Sequence, residues 1–97
     1  MRENAVNTIK YKLRLFVTGA SPNSIRAIAN IKNICETHLA GNYDLEIIDI
    51  YQQPLIAEEN EIVALPMLLK IHPLPIKRLI GDMGDTDKVL KGIGFNN

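Results

Sequence analysis

Tyr11, Leu13, Leu15 and Val17 alternate with Lys12, Arg14 and Phe16, and a period of two carried by β-forming residues predicts a strand. Gly19 ends it. Ser21 reads as the cap of a following helix, with Pro22 at the first helical position, where its missing N–H costs nothing. From Pro22 to about Leu39, Ile25, Ile28, Ile31, Cys35 and Leu39 recur along one stripe that Ala27 and Ile34 widen, the pattern of an amphipathic helix. Gly41-Asn42 supplies its stop. Leu45 to Ile50 is apolar on both faces apart from Glu46 and Asp49, which predicts a central, parallel strand covered on both sides. Strand, helix and strand together make a right-handed βαβ unit.

The second half is more broken. After Pro54 the pattern predicts a short acidic helix through about Ile62. Pro66 opens a third strand, Met67 to Ile71, at a position where proline is tolerated. The turn His72-Pro73-Leu74-Pro75 leads to a fourth strand, Ile76 to Ile80, closed by Gly81-Asp82, and the two strands are near enough to form an antiparallel hairpin. A last helix is capped by Asp85, with Asp87 in its first turn, Lys88 and Lys91 late, and Gly92 expected just past its end. The order β-α-β-α-β-β-α is the thioredoxin-like arrangement of an α/β protein: a four-stranded mixed sheet flanked by helices.

Composition narrows the classes of function. A chain of 97 residues buries about two-thirds of its unfolded surface, enough for one modest core over residues 11–97. Residues 1–10 are mainly polar and read as a flexible N-terminal arm. Basic and acidic residues number 11 each, so no overall field draws the chain to nucleic acid or an anionic membrane. The charges are nevertheless segregated. From Lys10 to Lys32 every charged residue is basic, from Glu36 to Glu61 every one is acidic, and Lys70, Lys77 and Arg78 restore a basic stretch. Patches of opposite sign suit head-to-tail self-association or docking to a partner, against the plainer alternative of solvated faces.

No apolar stretch has the form of a signal peptide or a membrane span, and the lone Cys35 rules out an intramolecular disulfide; a reducing cytoplasm is expected. His38 and His72 lie far apart, without metal-ligand spacing, so no metal or cofactor is expected. Neither a nucleophile-base pair nor a phosphate-cradling glycine loop is present.

Several ordered landmarks resemble the KaiB family. They are the run Leu15 to Ala27 (LFVTGASPNSIRA), Ile48-Asp49-Ile50, Pro54 to Glu59 (PLIAEE), Pro73 to Asp82 (PLPIKRLIGD) and Lys88-Val89-Leu90. The resemblance spans about residues 11–93. It implies a non-enzymatic adaptor of the bacterial circadian clock that docks on the ATPase ring of KaiC, sequesters KaiA and competes with a sensor kinase. It also implies self-association, as dimer or tetramer, and two alternative folds: a rearranged tetramer-forming ground state and the thioredoxin-like state that binds KaiC.

By the same resemblance, Arg14, Arg26, Tyr43, Lys70, Lys77 and Arg78 occupy positions implicated in partner contacts, and Pro66, Gly92 and Gly94 fall where the two folds diverge. Pro66 matches a proline that is often cis in thioredoxin folds. Where thioredoxins carry Cys-x-x-Cys, this chain has Ser21-Pro22-Asn23-Ser24, and a serine cannot form a disulfide, so thiol oxidoreductase chemistry at this turn is excluded. Cys35 falls on the apolar stripe, as an inert thiol would.

Some residues depart from the family pattern. Glu46 and Glu61 stand where clock KaiB proteins usually have lysine, and Gly94 replaces a common aspartate. Two glycines within three residues weaken a strand there, so the thioredoxin-like fold is expected to dominate. The charge reversals leave a second reading open: a KaiB-like protein of stress adaptation outside a true oscillator, with a different partner.

Overall fold

The computed structural model describes residues 10–60, 62 and 64–95. The expected arm and Glu61 thus lie mostly outside the described residues. The chain runs β1 (Tyr11–Val17), α1 (Pro22–His38), β2 (Tyr43–Asp49), α2 (Pro54–Glu59), β3 (Met67–His72), β4 (Lys77–Ile80) and α3 (Thr86–Gly92). The strands form one sheet in the order β2-β1-β3-β4, with β1 and β2 parallel, β1 and β3 antiparallel, and β3 and β4 an antiparallel hairpin. This is the expected thioredoxin-like order.

Alternation along β1 sorts two cores. Tyr11, Leu13, Leu15 and Val17 face α1 and α3, where they meet Ala27, Ile31, Ile34, Cys35, Val89, Leu90 and Ile93. Phe16 points to the other face and packs with Ile48, Met67 and Leu69 beneath Ile56 of α2. With only six residues, α2 is shorter than expected, and the end of this face around Lys12 and Arg14 stays open.

Three expectations are corrected. β2 is parallel to β1 as expected but forms an edge of the sheet, since β3 takes the other side of β1; only Ile48 on it is fully buried. Ile25 is 56% exposed, because the buried stripe of α1 runs through Ser24, Ala27, Ile31 and Ile34 and leaves Ile25 one residue off it. Gly92 is the last residue inside α3, and Gly94, with φ +81°, takes the left-handed position beyond it. There Gly94 N–H donates to Lys91 O at 3.1 Å and Phe95 N–H to Leu90 O at 2.9 Å, the paired bonds of a Schellman closure.

Local signals elsewhere read true. The Ser21 hydroxyl caps α1 by accepting Ser24 N–H at 3.2 Å, and Asp85 caps α3 by accepting Lys88 N–H at 3.2 Å. The Leu65–Pro66 bond is cis, as are His72–Pro73 and Leu74–Pro75. Asp49 ties the ends of β1 and β2, one carboxylate oxygen accepting Gly19 N–H at 3.0 Å and Tyr51 N–H at 2.9 Å.

Candidate partner-binding surface

The register of the sheet decides which candidate residues share a face. Glu46 of β2, Arg14 of β1, Leu69 of β3 and Arg78 of β4 lie in one row across the strands, on the face that α2 half covers. Arg14 Nε is 3.2 Å from Glu46 Oε1, with side chains 40% and 59% exposed. At that exposure the pair adds at most about 1 kcal/mol, but it fixes where the guanidinium points. Arg78 is exposed at the far end of the row.

Lys70 and Lys77 form a cross-strand pair on the opposite face, alongside Leu13. Lys70 is only 2% exposed, so it is a buried lysine rather than a surface contact. Burial, reinforced by Lys77, holds its ammonium below the ordinary value of 10.5.

Arg26 and Tyr43 stand apart from both groups. Arg26 Nε lies 3.4 Å from Asp82 Oδ2, and its terminal N–H donates to Asn23 Oδ1. Asp82 is held in turn, its carbonyl accepting Asn30 Nδ2–H at 2.9 Å and its Oδ1 accepting Gly84 N–H at 2.9 Å. Tyr43 donates its hydroxyl hydrogen to Glu36 Oε2, and that hydrogen bond above all pushes the phenol up to about 12. Reading residues one by one missed Glu36 and Asp82, whose partners are seven and 56 positions away; no local pattern points to either.

The β1–α1 turn is closed by serine hydroxyls. The Ser21 and Ser24 hydroxyls bond each other at 2.8 Å, and Ser24 Oγ also accepts Thr18 N–H at 3.1 Å, so both are used in closing the β1–α1 turn. Cys35 is fully buried, and burial, with the charge of Glu36, pushes its thiol up to about 12. Among the described residues no group of three His, Cys, Asp or Glu side chains is placed to hold a metal ion, and no helix is long and apolar enough to cross a membrane.

Three exposed apolar residues lie on the hairpin, Leu74 and Ile76 at its turn and Ile80 at the end of β4, while Ile25, Tyr51 and Leu55 are exposed elsewhere. With Lys77 and Arg78 the hairpin residues give β4 a basic, partly apolar outer edge.

Comparison with known proteins places the chain in a family. The KaiB domain model matches residues 14–95. The circadian clock oscillator protein KaiB of Synechococcus elongatus is 48% identical over 83 residues, covering 86% of this chain and 81% of the relative. That of Microcystis aeruginosa is 46% identical over 83 residues, covering 86% and 80%. Among solved structures, the N-terminal domain of Synechococcus elongatus SasA superposes with a TM-score of 0.71 at 28% identity, covering 94% of this chain and 85% of that one. Chloroplastic thioredoxin z, at 16% identity, superposes with a TM-score of 0.73 over 88% of this chain and 76% of its own, a likeness of fold alone. With a family model spanning most of its length and relatives near half identity, this chain belongs to the KaiB family.

Proposed function

We propose that the protein is a non-enzymatic regulatory adaptor of a circadian clock-like system and acts by docking on a KaiC-type ATPase. The observation that carries this reading is the 48% identity to clock oscillator KaiB proteins across nearly the whole folded chain. The chemistry of the site is consistent with it. Arg26, Lys77 and Arg78 are exposed, and arginine is favoured among the anchors of protein interfaces. The turn where thioredoxins keep their redox cysteines is occupied by serines engaged in helix capping.

Size-exclusion chromatography with light scattering tests the proposal, using this protein alone and mixed with the same organism's KaiC-type ATPase and ATP. A stable complex that Arg78→Ala or Arg26→Ala weakens supports docking. Absence of a complex after hours of incubation overturns it.

One observation favours a second reading. Glu46, standing where clock KaiB proteins usually have lysine, holds Arg14 in an ion pair, so a basic candidate contact is partly neutralised. A charge reversal at a rim contact slows association with the old partner and can repel it. This supports a KaiB-like protein of stress adaptation with a different partner. Binding of the ATPase by Glu46→Lys but not by the unaltered chain would be its signature.

A further inference from the structure

Among the described residues Lys70 is the one charged side chain buried in the fold, with 2% of its surface exposed. It stands on β3, inside the sheet, in line with Leu13 on the face that α1 and α3 cover. Burying a charge is costly unless carboxylate or carbonyl oxygens surround it. Lys70 has no such set. Among the described residues the ion pairs are Arg14–Glu46 and Arg26–Asp82, and Lys70 Nζ donates to no oxygen. The carbonyls that end α3 are already engaged, Leu90 O accepting Phe95 N–H and Lys91 O accepting Gly94 N–H.

The groups around it add positive charge instead. Lys77 is its direct partner across β3 and β4, exposed and on the same face, and Lys91 stands in the last turn of α3. The end of α3 contributes about half a negative charge, less than Lys70 and Lys77 carry between them. A β-carbon on Gly94 would fall 3.5 Å from Lys70 Nζ, so the ammonium abuts a residue with no side chain to offer it. Burial and Lys77 both push Lys70 toward its neutral form, and a counter-ion opposes that push.

We propose that Lys70 and Lys77 together bind a small free oxyanion of the phosphate class beside Gly94. Its oxygens accept from the N–H bonds of both ammonium groups, and its charge offsets their mutual repulsion. Lysine holds phosphate as a point charge, so the site selects for charge more than for shape. The two lysines divide the work. Lys70 is fixed by its burial, while Lys77, exposed at the start of the edge strand β4, closes on the ion from solvent. The site lies within one chain and is independent of any ATPase partner.

Urea unfolding in inorganic phosphate, against chloride at equal ionic strength, tests the proposal. Phosphate strengthens burial in any protein by exclusion from its surface, so the comparison with variants decides. With a Kd of about 1 mM, phosphate at about 10 mM should lower the unfolding constant of the unaltered chain about tenfold beyond that general effect. Lys77→Gln, an exposed substitution, should lose most of this gain, and Lys70→Met all of it. Gly94→Asp should lose it too, since it sets a carboxylate beside Lys70 Nζ and aspartate tolerates the left-handed backbone there. Amide spectra of the unaltered chain, titrated with phosphate, should show saturating shifts centred on Lys70, Lys77 and Gly94. An equal phosphate response in the unaltered chain, Lys77→Gln and Lys70→Met overturns the proposal. So do amide shifts that drift without saturating or that centre elsewhere.

Discussion

Gly92, in the last turn of α3, lies directly against Leu79 of β4: a β-carbon on Gly92 would fall 2.7 Å from Leu79 Cδ1 and 3.0 Å from Cγ, and closer still to Cδ2. α3 approaches the edge of the sheet this closely because its final helical residue has no side chain. Gly94 serves a separate purpose, turning the chain at φ +81° so that the last carbonyls of α3 are satisfied. The two glycines that weaken a strand through this segment thus each do something definite for the helix.

Gly92→Ala is expected to destabilise the fold by about 1–3 kcal/mol, the range for forcing volume into a packed contact. Leu79→Ala opens that space, so the double variant should lose less than the sum of the singles, with a coupling of about 0.5–3 kcal/mol. Urea unfolding of the four chains measures it. Strictly additive losses would show that the helix does not depend on this contact.

The alkaline stability of the protein should depend on Lys70. Its native ammonium is held below 10.5 by burial and by Lys77, so the unfolded chain binds that proton more tightly. Stability contributed through this residue therefore rises with pH between its native value and 10.5, and below the native value the burial cost is present in full. Lys70→Met removes the cost. Its advantage over the unaltered chain should be largest near neutrality and shrink as pH approaches 10.5, as read from urea midpoints. Cys35 titrates in both chains and cancels in the difference. An advantage independent of pH would show that Lys70 titrates normally.

Local signals carried most of the fold. Ser21 and Asp85 cap the helices they were expected to cap, and the alternation of β1 sorts the two cores, because caps and strand periodicity depend on a few neighbouring residues. What failed depended on distant parts of the chain. Whether Leu45 to Ile50 lies inside the sheet or at its edge is decided by where β3 pairs, and nothing within β2 records that. Gly92 was misplaced by two residues because Leu79 uses its missing side chain while Gly94 supplies the turn. The candidate surface follows the same division. Arg14 and Arg78 share a row only through Leu69, and Lys70 is buried although its flanks read as an ordinary strand.

Cys35 should be inert in the native state. Its sulfur is fully buried and its thiol is pushed up to about 12, so the thiolate that reacts with labelling reagents is scarce as well as inaccessible. Labelling with an aromatic disulfide at pH 8 should be slower by about a thousandfold or more than in urea, and limited by opening of the fold. Rapid stoichiometric labelling of the folded chain would instead make Cys35 a reactive thiol.

Arg26, an exposed candidate contact, is held by Asp82 across from α1 to the loop after β4. Both side chains are about half exposed, so the pair itself adds little stability. Its consequence is for binding: a partner carboxylate that takes Arg26 must displace Asp82. Asp82→Asn keeps a side-chain oxygen for Gly84 N–H but removes the competing charge. If Arg26 is a contact for the KaiC-type ATPase, Asp82→Asn should tighten the complex about two- to fivefold, Arg26→Ala should weaken it about tenfold, and the double variant should match Arg26→Ala. Titration of the ATPase with each variant measures this. Equal affinity across all four chains would remove Arg26 from the interface.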